Sequence, residues 1–137
     1  LEWETAVGKT KFPWGDHWPP KAFEANYSIT SSGQRDPSGV GADGIRGTAR
    51  VGSFKPNALG FYDLAGNVWE WCSDWWSANS QLSDERKVIK GGSYLCHDSY
   101  CNRYRLSART SQPKNGFTAH IGFRCVADKN TELLGSL

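Results

Sequence analysis

Two cysteines separated by five positions are the residues in this sequence best suited to chemistry. Cys96 and Cys101 lie within residues 90–109, the cysteine segment, which reads KGGSYLCHDSYCNRYRLSAR. An offset of five places side chains about 140° apart on a helix and on opposite faces of a strand. The thiols therefore converge only if the chain between them turns, and the His-Asp-Ser sequence at 97–99 favours a turn.

A convergent pair of thiols predicts a small disulfide, a redox pair, or a two-sulfur clamp for a soft metal such as Cu(I). Arg103 and Arg105 follow the pair, and nearby positive charge favours thiolate formation. Structural zinc needs four ligands at characteristic spacings, and the sequence contains no second CxxC or HxxxH pattern. We therefore disfavour zinc, including at His97.

The composition indicates one domain with much irregular backbone. The chain has 137 residues, and its seven Trp and 15 Gly accompany only 38% apolar residues. A net charge of +2 argues against nucleic acid as a partner, and no apolar run is long enough to span a membrane. The sequence has no Met and begins at Leu1, so we expect a processed chain or a fragment.

Local patterns predict few regular elements. A helix over residues 1–7 should end at Gly8, and residues 26–47, the long loop, are rich in turn-forming residues. Cys72 and Cys125 lie in aromatic and apolar surroundings and are expected to be buried thiols. Short strands are predicted at residues 48–54, 86–90, 102–108 and 121–126.

Residues 91–105 resemble the active-site segment of the formylglycine-generating enzymes, the sulfatase-modifying factors. Segments 12–15, 60–71, 90–94 and 121–125 occur in the order found across that superfamily. The resemblance implies an irregular α+β fold of the C-type-lectin-like kind, mostly loops with short antiparallel strands. It also implies that residues 1–137 are the C-terminal portion of a single longer catalytic domain.

The resemblance implies a copper-dependent oxidase that uses O₂ to convert a cysteine in an unfolded sulfatase peptide, Cys-X-Pro-X-Arg, to Cα-formylglycine. Cys96 and Cys101 would bind Cu(I), and Ser93, otherwise a plain strand-edge serine, would lie near the oxygen-binding pocket. The family has Asn at the position of His120, so this residue could alter substrate contacts. The expected substrate-binding residues are Cys101, Tyr100, His97 and His120.

The resemblance also implies two structural Ca²⁺ sites, for which carboxylates and carbonyls from bent backbone are suitable ligands. The first would hold the long loop in place, and ordinary Asx turns are the alternative at both. The first set is Asn26, Tyr27, Asp43 and Ile45. The second set is Asp63, Gly66, Val68 and Glu70.

Departures from the vertebrate pattern indicate a prokaryotic-type member, for which a cytoplasmic location is expected. Cys125 matches a vertebrate disulfide cysteine, but the partner position is Val7, and Leu106 occupies a position of the other bridge. The N-terminal half of the domain is an expected partner. A non-catalytic binding module on the same framework is the alternative function. An iron-dependent modifier needs a His/carboxylate triad, which three histidines scarcely support.

Overall fold

The computed structural model describes residues 2–77, 85–97 and 103–127. One helix and four strands form within them, and the remaining described residues are loops and turns. In chain order they are α1 (Glu2–Val7), β1 (Trp69–Trp75), β2 (Arg86–Lys90), β3 (Thr110–Pro113) and β4 (Ile121–Gly122). This confirms the irregular α+β fold class. Within these ranges, no helix combines the length and apolar character needed to cross a bilayer.

Helix α1 forms and ends as the sequence predicts. Trp3, Ala6 and Val7 recur at helical spacing and are buried against Leu64. Gly8 has a φ of +92° and donates its N–H to the Glu4 carbonyl, with N···O 3.3 Å. A left-handed glycine at this position satisfies a terminal carbonyl and stops the helix.

The sheet has the strand order β3-β2-β1-β4. Strand β2 runs antiparallel to both neighbours, so that Ile89 pairs with Trp71 on β1 and with Thr110 on β3. Strand β4 runs parallel to β1 and pairs Ile121 with Trp69. A parallel edge strand thus joins the antiparallel strands that were expected.

The strand predictions have mixed outcomes. The strand at 86–90 is confirmed, whereas regular pairing at 121–126 is limited to Ile121–Gly122. The strand predicted at 48–54 is wrong, because Gly52 has a φ of +75° and Ser53 donates to the Arg50 carbonyl in a turn. The prediction at 102–108 is also wrong over its described part, which turns before β3 begins. Strand β1 was not predicted, because its aromatic run lacks clear alternation.

Aromatic rings fill the larger core cluster between the loops and the sheet. Tyr104 is fully buried, stacks on Trp18 with centroids 5.0 Å apart, and meets the Tyr27 ring edge-on at 4.3 Å. Trp69 and Ile89 bring the sheet into the same cluster. The abundant tryptophans and tyrosines therefore anchor irregular backbone, as composition predicts.

The two cysteines outside the cysteine segment differ in burial. Cys72 is half-buried, and burial raises the pKa of its thiol. The prediction that Cys125 is buried is wrong, since it is exposed together with Phe123 and Val126. The physical reason is that regular strand pairing ends at Gly122, and Cys125 lies in the unpaired segment that follows.

Candidate active site

A cavity of about 410 Å³ lies over one face of the sheet and beside the cysteine segment. All four strands contribute to its wall, through Trp69, Ile89, Thr110 and Ile121 among others. The pairings of Ile89 with Thr110 and of Trp69 with Ile121 explain why these side chains share one surface. Ser93, Leu95 and Cys96 of the cysteine segment line the same cavity.

Cys96 is held in a tight turn with Ser93. The Cys96 N–H donates to the Ser93 carbonyl at 2.9 Å, and the Ser93 N–H donates to the Cys96 Sγ at 3.4 Å. The Ser93 hydroxyl oxygen accepts the Leu95 N–H at 3.3 Å. Cys96 is 3% exposed and Ser93 is fully buried. Backbone groups of Ser93 and Cys96 therefore hold the Cys96 sulfur in place.

Gly91 and Gly92 allow the chain to enter this turn. Both have positive φ, at +88° and +70°. A Cβ on Gly91 would lie 2.6 Å from the Leu64 carbonyl oxygen. A Cβ on Gly92 would lie 3.1 Å from the Tyr104 ring and 3.5 Å from the Cys96 Sγ. The GG pair is thus required by backbone conformation and by close packing.

Two distant loops hold the cysteine segment in place. The Tyr94 N–H donates to the Asn67 carbonyl at 3.0 Å, and the Tyr94 carbonyl accepts the Ser28 N–H at 2.8 Å. The Gly66 N–H donates to the Gly91 carbonyl at 2.9 Å. The position of the thiol therefore depends on residues 66–67 and on the long loop.

Of the predicted catalytic and substrate residues, the structure brings Ser93, Cys96 and His120 to the same cavity. Arg103 lines it as well, which agrees with its expected place near the thiol. His97 borders a second cavity of about 320 Å³, which shares only Leu95 with the first. Tyr100 and Cys101 lie outside the described residues.

Sequence reasoning missed the polar wall of the cavity. Thr110 and Gln112 of β3 line it, and they lie two positions apart on one face of the strand. Ser111 borders it too, and its hydroxyl and carbonyl accept hydrogen bonds from Arg86. The Thr-Ser-Gln-Pro sequence of β3 has no apolar alternation, so it offered no signal from which this wall could be predicted.

The four residues of the first predicted Ca²⁺ site lie together. Asp43 accepts the Tyr27 N–H at 3.0 Å and the Ile45 N–H at 2.8 Å, while Asn26 precedes Tyr27 in the chain. Burial raises the pKa of the Asp43 carboxyl, against the effect of these hydrogen bonds. A half-buried carboxylate surrounded by bent backbone is suitable for a hard cation.

The second predicted set has a competing cation. Glu70 is buried, and both of its carboxylate oxygens accept hydrogen bonds from the Arg124 guanidinium, with Nε contacts of 2.9 and 2.8 Å. Burial raises the pKa of Glu70, whereas Arg124 lowers it and nearby Asp63 raises it further. Asp63 itself accepts the Gly52 N–H at 2.7 Å. The carboxylates are thus close, but Arg124 already neutralises one of them.

The described part of the chain contains no group of three or more His, Cys, Asp or Glu side chains arranged as metal ligands. The predicted Cu(I) and Ca²⁺ sets do not require such a group, because they use two thiols or carboxylates with carbonyl oxygens. Ligation at these sets therefore stays a prediction.

Comparison with known proteins identifies the framework. The sequence profile described as "Sulfatase-modifying factor enzyme 1-like domain" matches residues 1–129. The chain belongs to this family. Its fold class is accordingly that of the sulfatase-modifying factors, as the resemblance predicts.

Relatives within the family include enzymes and an inactive protein. The formylglycine-generating enzyme of Thermomonospora curvata is 39% identical, over 93% of this chain and 47% of its own length. That of Mus musculus is 40% identical, over 93% of this chain and 37% of its own. The "Inactive C-alpha-formylglycine-generating enzyme 2" of Bos taurus is 32% identical, over 92% and 42%. The chain thus spans less than half the length of these sulfatase-modifying-factor relatives.

Solved structures share the fold. Treponema denticola variable protein 1 superposes with a TM-score of 0.64 at 26% identity, over 89% of this chain and 43% of that one. PvdO from Pseudomonas aeruginosa superposes with a TM-score of 0.63 at 28% identity, over 89% and 48%. Differently named proteins thus use the same sulfatase-modifying-factor framework, so function depends on the residues of the site.

Proposed function

We propose that this chain carries the copper-binding and catalytic part of a formylglycine-generating enzyme. The proposed reaction is the O₂-dependent oxidation of a cysteine in an unfolded sulfatase Cys-X-Pro-X-Arg segment to Cα-formylglycine. The observation that carries the proposal is the fixed, buried thiol of Cys96 on the wall of a cavity of about 410 Å³. Identities of 39% and 40% to enzymes of that name support the reaction class.

The thiol of Cys96 fits a soft metal. It lies 3% exposed in the 93–96 turn, so a metal bound there is shielded from water on the protein side. Cys101 is the proposed second ligand, five positions further along the chain. When bound, Cu(I) supplies the site for thiolate exchange and for O₂ activation.

The residues of this chain would bind and orient the peptide. The cavity volume admits a cysteine side chain and part of its backbone, next to Ser93 and Cys96. Arg103 places positive charge at the same wall, which favours thiolate forms of both enzyme and substrate. Ser93 is fully buried, and its backbone N–H donates to the Cys96 sulfur. Its proposed role is therefore to order the inner end of the cavity.

Peptide oxidation with stoichiometric Cu(I) tests the proposal. We expect Cys96→Ser and Cys101→Ser each to abolish formylglycine formation and thiol-dependent Cu(I) uptake. Cys125→Ser is a matched control, because its thiol is exposed and away from the cavity. Full activity in both site variants would disprove the proposal.

A second candidate is a non-catalytic module that binds peptides or other ligands in the same cavity. The 32% identity to a relative named as inactive supports this second candidate. Such a module would bind the cysteine peptide without consuming O₂ and would take up no Cu(I) through its thiols. Titration of the reduced protein with Cu(I) against a chromogenic chelator therefore separates the two functions.

A further inference from the structure

We propose that Asn67 is a positioning residue, which fixes the 93–96 turn by clamping the long loop against the segment that holds Tyr94. This inference rests on the proposed function for its catalytic consequence. Its structural basis is a set of hydrogen bonds that converge on one buried residue. Asn67 is 5% exposed, lines neither cavity, and is outside both predicted Ca²⁺ ligand sets.

The side-chain amide of Asn67 binds two parts of the loop region. Its Oδ1 accepts the Ala49 N–H at 2.9 Å and an N–H of the Asn26 amide at 3.3 Å. Its Nδ2 donates to the Ala49 carbonyl at 3.2 Å. The amide thus pairs with both backbone groups of Ala49, as a neighbouring strand would.

The backbone of Asn67 transmits this constraint to the cysteine segment. Its N–H donates to the Asn26 carbonyl at 3.0 Å, and its carbonyl accepts the Tyr94 N–H at 3.0 Å. Tyr94 lies between Ser93 and Cys96, whose turn encloses the sulfur. Because the amide fixes the orientation of residue 67, it also fixes the carbonyl that holds Tyr94.

The backbone conformation explains why asparagine is suited to this position. Asn67 has a φ of +60°, in the left-handed region that asparagine and aspartate tolerate better than other non-glycine residues. Glycine adopts the same φ without cost and has no amide. Asn67→Gly therefore removes the clamp and keeps the backbone conformation.

Asn67→Asp removes the amide donor of residue 67 and keeps its acceptor. Asn67→Asp keeps the oxygen that accepts from Ala49 but directs a second oxygen at the Ala49 carbonyl, where Nδ2 now donates. Two acceptors then face each other in a buried site. Asn67→Asp should therefore disturb the turn more than Asn67→Gly does.

The test measures the reactivity of Cys96 and the kinetics of the full chain. In folded Asn67→Gly we expect the alkylation rate of Cys96, followed by peptide mass, to change about tenfold, as loss of one or two net hydrogen bonds implies. We expect a similar loss of Cu(I) affinity, and a lower kcat with the KM for the peptide unchanged. Asn67→Asp should show the same changes to a larger degree. If the variants do not fold, amide hydrogen exchange of the wild type is the test: the Ala49 and Tyr94 N–H groups should exchange at one common rate, and unrelated rates would overturn the inference.

Asn57→Ala is the matched control. The Asn57 amide also makes a set of loop hydrogen bonds, donating to the Ala6 carbonyl at 2.6 Å and accepting from Leu59 and Phe61. It should lower thermal stability without altering Cys96 reactivity or the kinetic split. Wild-type values in folded Asn67→Gly, or equal changes in Asn57→Ala, overturn the inference. If the wild type neither binds Cu(I) nor oxidises peptide, the proposed function fails, while the change in Cys96 reactivity still tests the clamp.

Discussion

The Ser93 N–H donates to the Cys96 sulfur at 3.4 Å, within a turn closed by the Cys96 N–H on the Ser93 carbonyl. The proposed copper ligand is therefore oriented by the backbone of Ser93, the residue proposed to order the inner end of the cavity. This geometry depends on the glycines that precede it and on the tethers to residues 66–67 and Ser28.

Substitution of Gly92 should disturb the thiol more than the same substitution elsewhere. In Gly92→Ala, a left-handed φ of +70° adds strain of about 1–2 kcal/mol, and the new Cβ presses on Tyr104 and approaches the Cys96 sulfur. We expect Cu(I) affinity and peptide oxidation to fall at least tenfold.

Gly52→Ala is the control for Gly92→Ala. Gly52 has a similar φ of +75°, but a Cβ there meets no atom within 4 Å. It should show the loss of stability without the loss of Cu(I) affinity. Equal Cu(I) affinities for the two variants would show that packing at Gly92 does not position the sulfur.

The effects of substituting Glu70 and Arg124 on the unfolding free energy should be strongly non-additive. Arg124→Met leaves a buried carboxylate unpaired, which costs about 3–5 kcal/mol of unfolding free energy, whereas Glu70→Gln with Arg124→Met should recover much of it. Denaturant unfolding of the two single variants and the double variant measures the coupling. Additive effects would mean that the ion pair contributes little beyond its packing.

Calcium should stabilise the protein through Asp43. At a concentration about 100-fold above Kd, Ca²⁺ should add ~2.7 kcal/mol to the unfolding free energy of the wild type. Asp43→Asn should abolish the rise in melting temperature. Asp36→Asn is the matched control, because Asp36 also accepts two backbone N–H groups, from Ser38 and Gly41, but lies outside the predicted set. A full Ca²⁺ response in Asp43→Asn would exclude the first site.

Ca²⁺ should reverse the pH dependence of the contribution that Asp43 makes to the unfolding free energy. Burial raises the folded-state pKa of Asp43 above its ordinary value of 3.8, so the folded state binds this proton more tightly. In chelator, the contribution of Asp43 is therefore fully present below pH 3.8 and is lost as pH rises through the folded pKa. Ca²⁺ favours the ionised form and should reverse this trend. Melting temperatures of wild type and Asp43→Asn across that range, with and without Ca²⁺, measure the difference.

His120 should affect the substrate and leave the metal unchanged. His120 lines the cavity that contains Cys96. Its backbone carbonyl accepts the Trp69 N–H at 2.8 Å, and a side-chain substitution retains this carbonyl. We expect His120→Asn to change the KM for the sulfatase peptide severalfold, with Cu(I) affinity unchanged. His17→Asn is the control, since His17 contacts Glu24 outside the cavity. Altered Cu(I) binding in His120→Asn would place the residue at the metal instead.

Short-range features of this protein were predictable because they are encoded within a few residues. Gly8 ends α1, and strand 86–90 forms where its sequence indicates. The spacing of Cys96 and Cys101 and the glycines before them predicted the segment from which the proposed site is built. The strands at 48–54 and 102–108 were wrong because weak alternation was outweighed by turn formation at Gly52 and before Ala108.

By itself, the sequence determined the family, the aromatic anchoring of irregular backbone and the residues from which a site could be built. Only the tertiary structure decided that all four strands share one cavity with Cys96, and that Arg124 neutralises Glu70 across 54 positions. It also decided that Asn67 joins the long loop to Tyr94 and that Cys125 is exposed. The physical reason is that propensity and turn chemistry act over neighbouring residues. Burial, ion pairing and cavity shape depend instead on segments that folding brings together from distant parts of the chain.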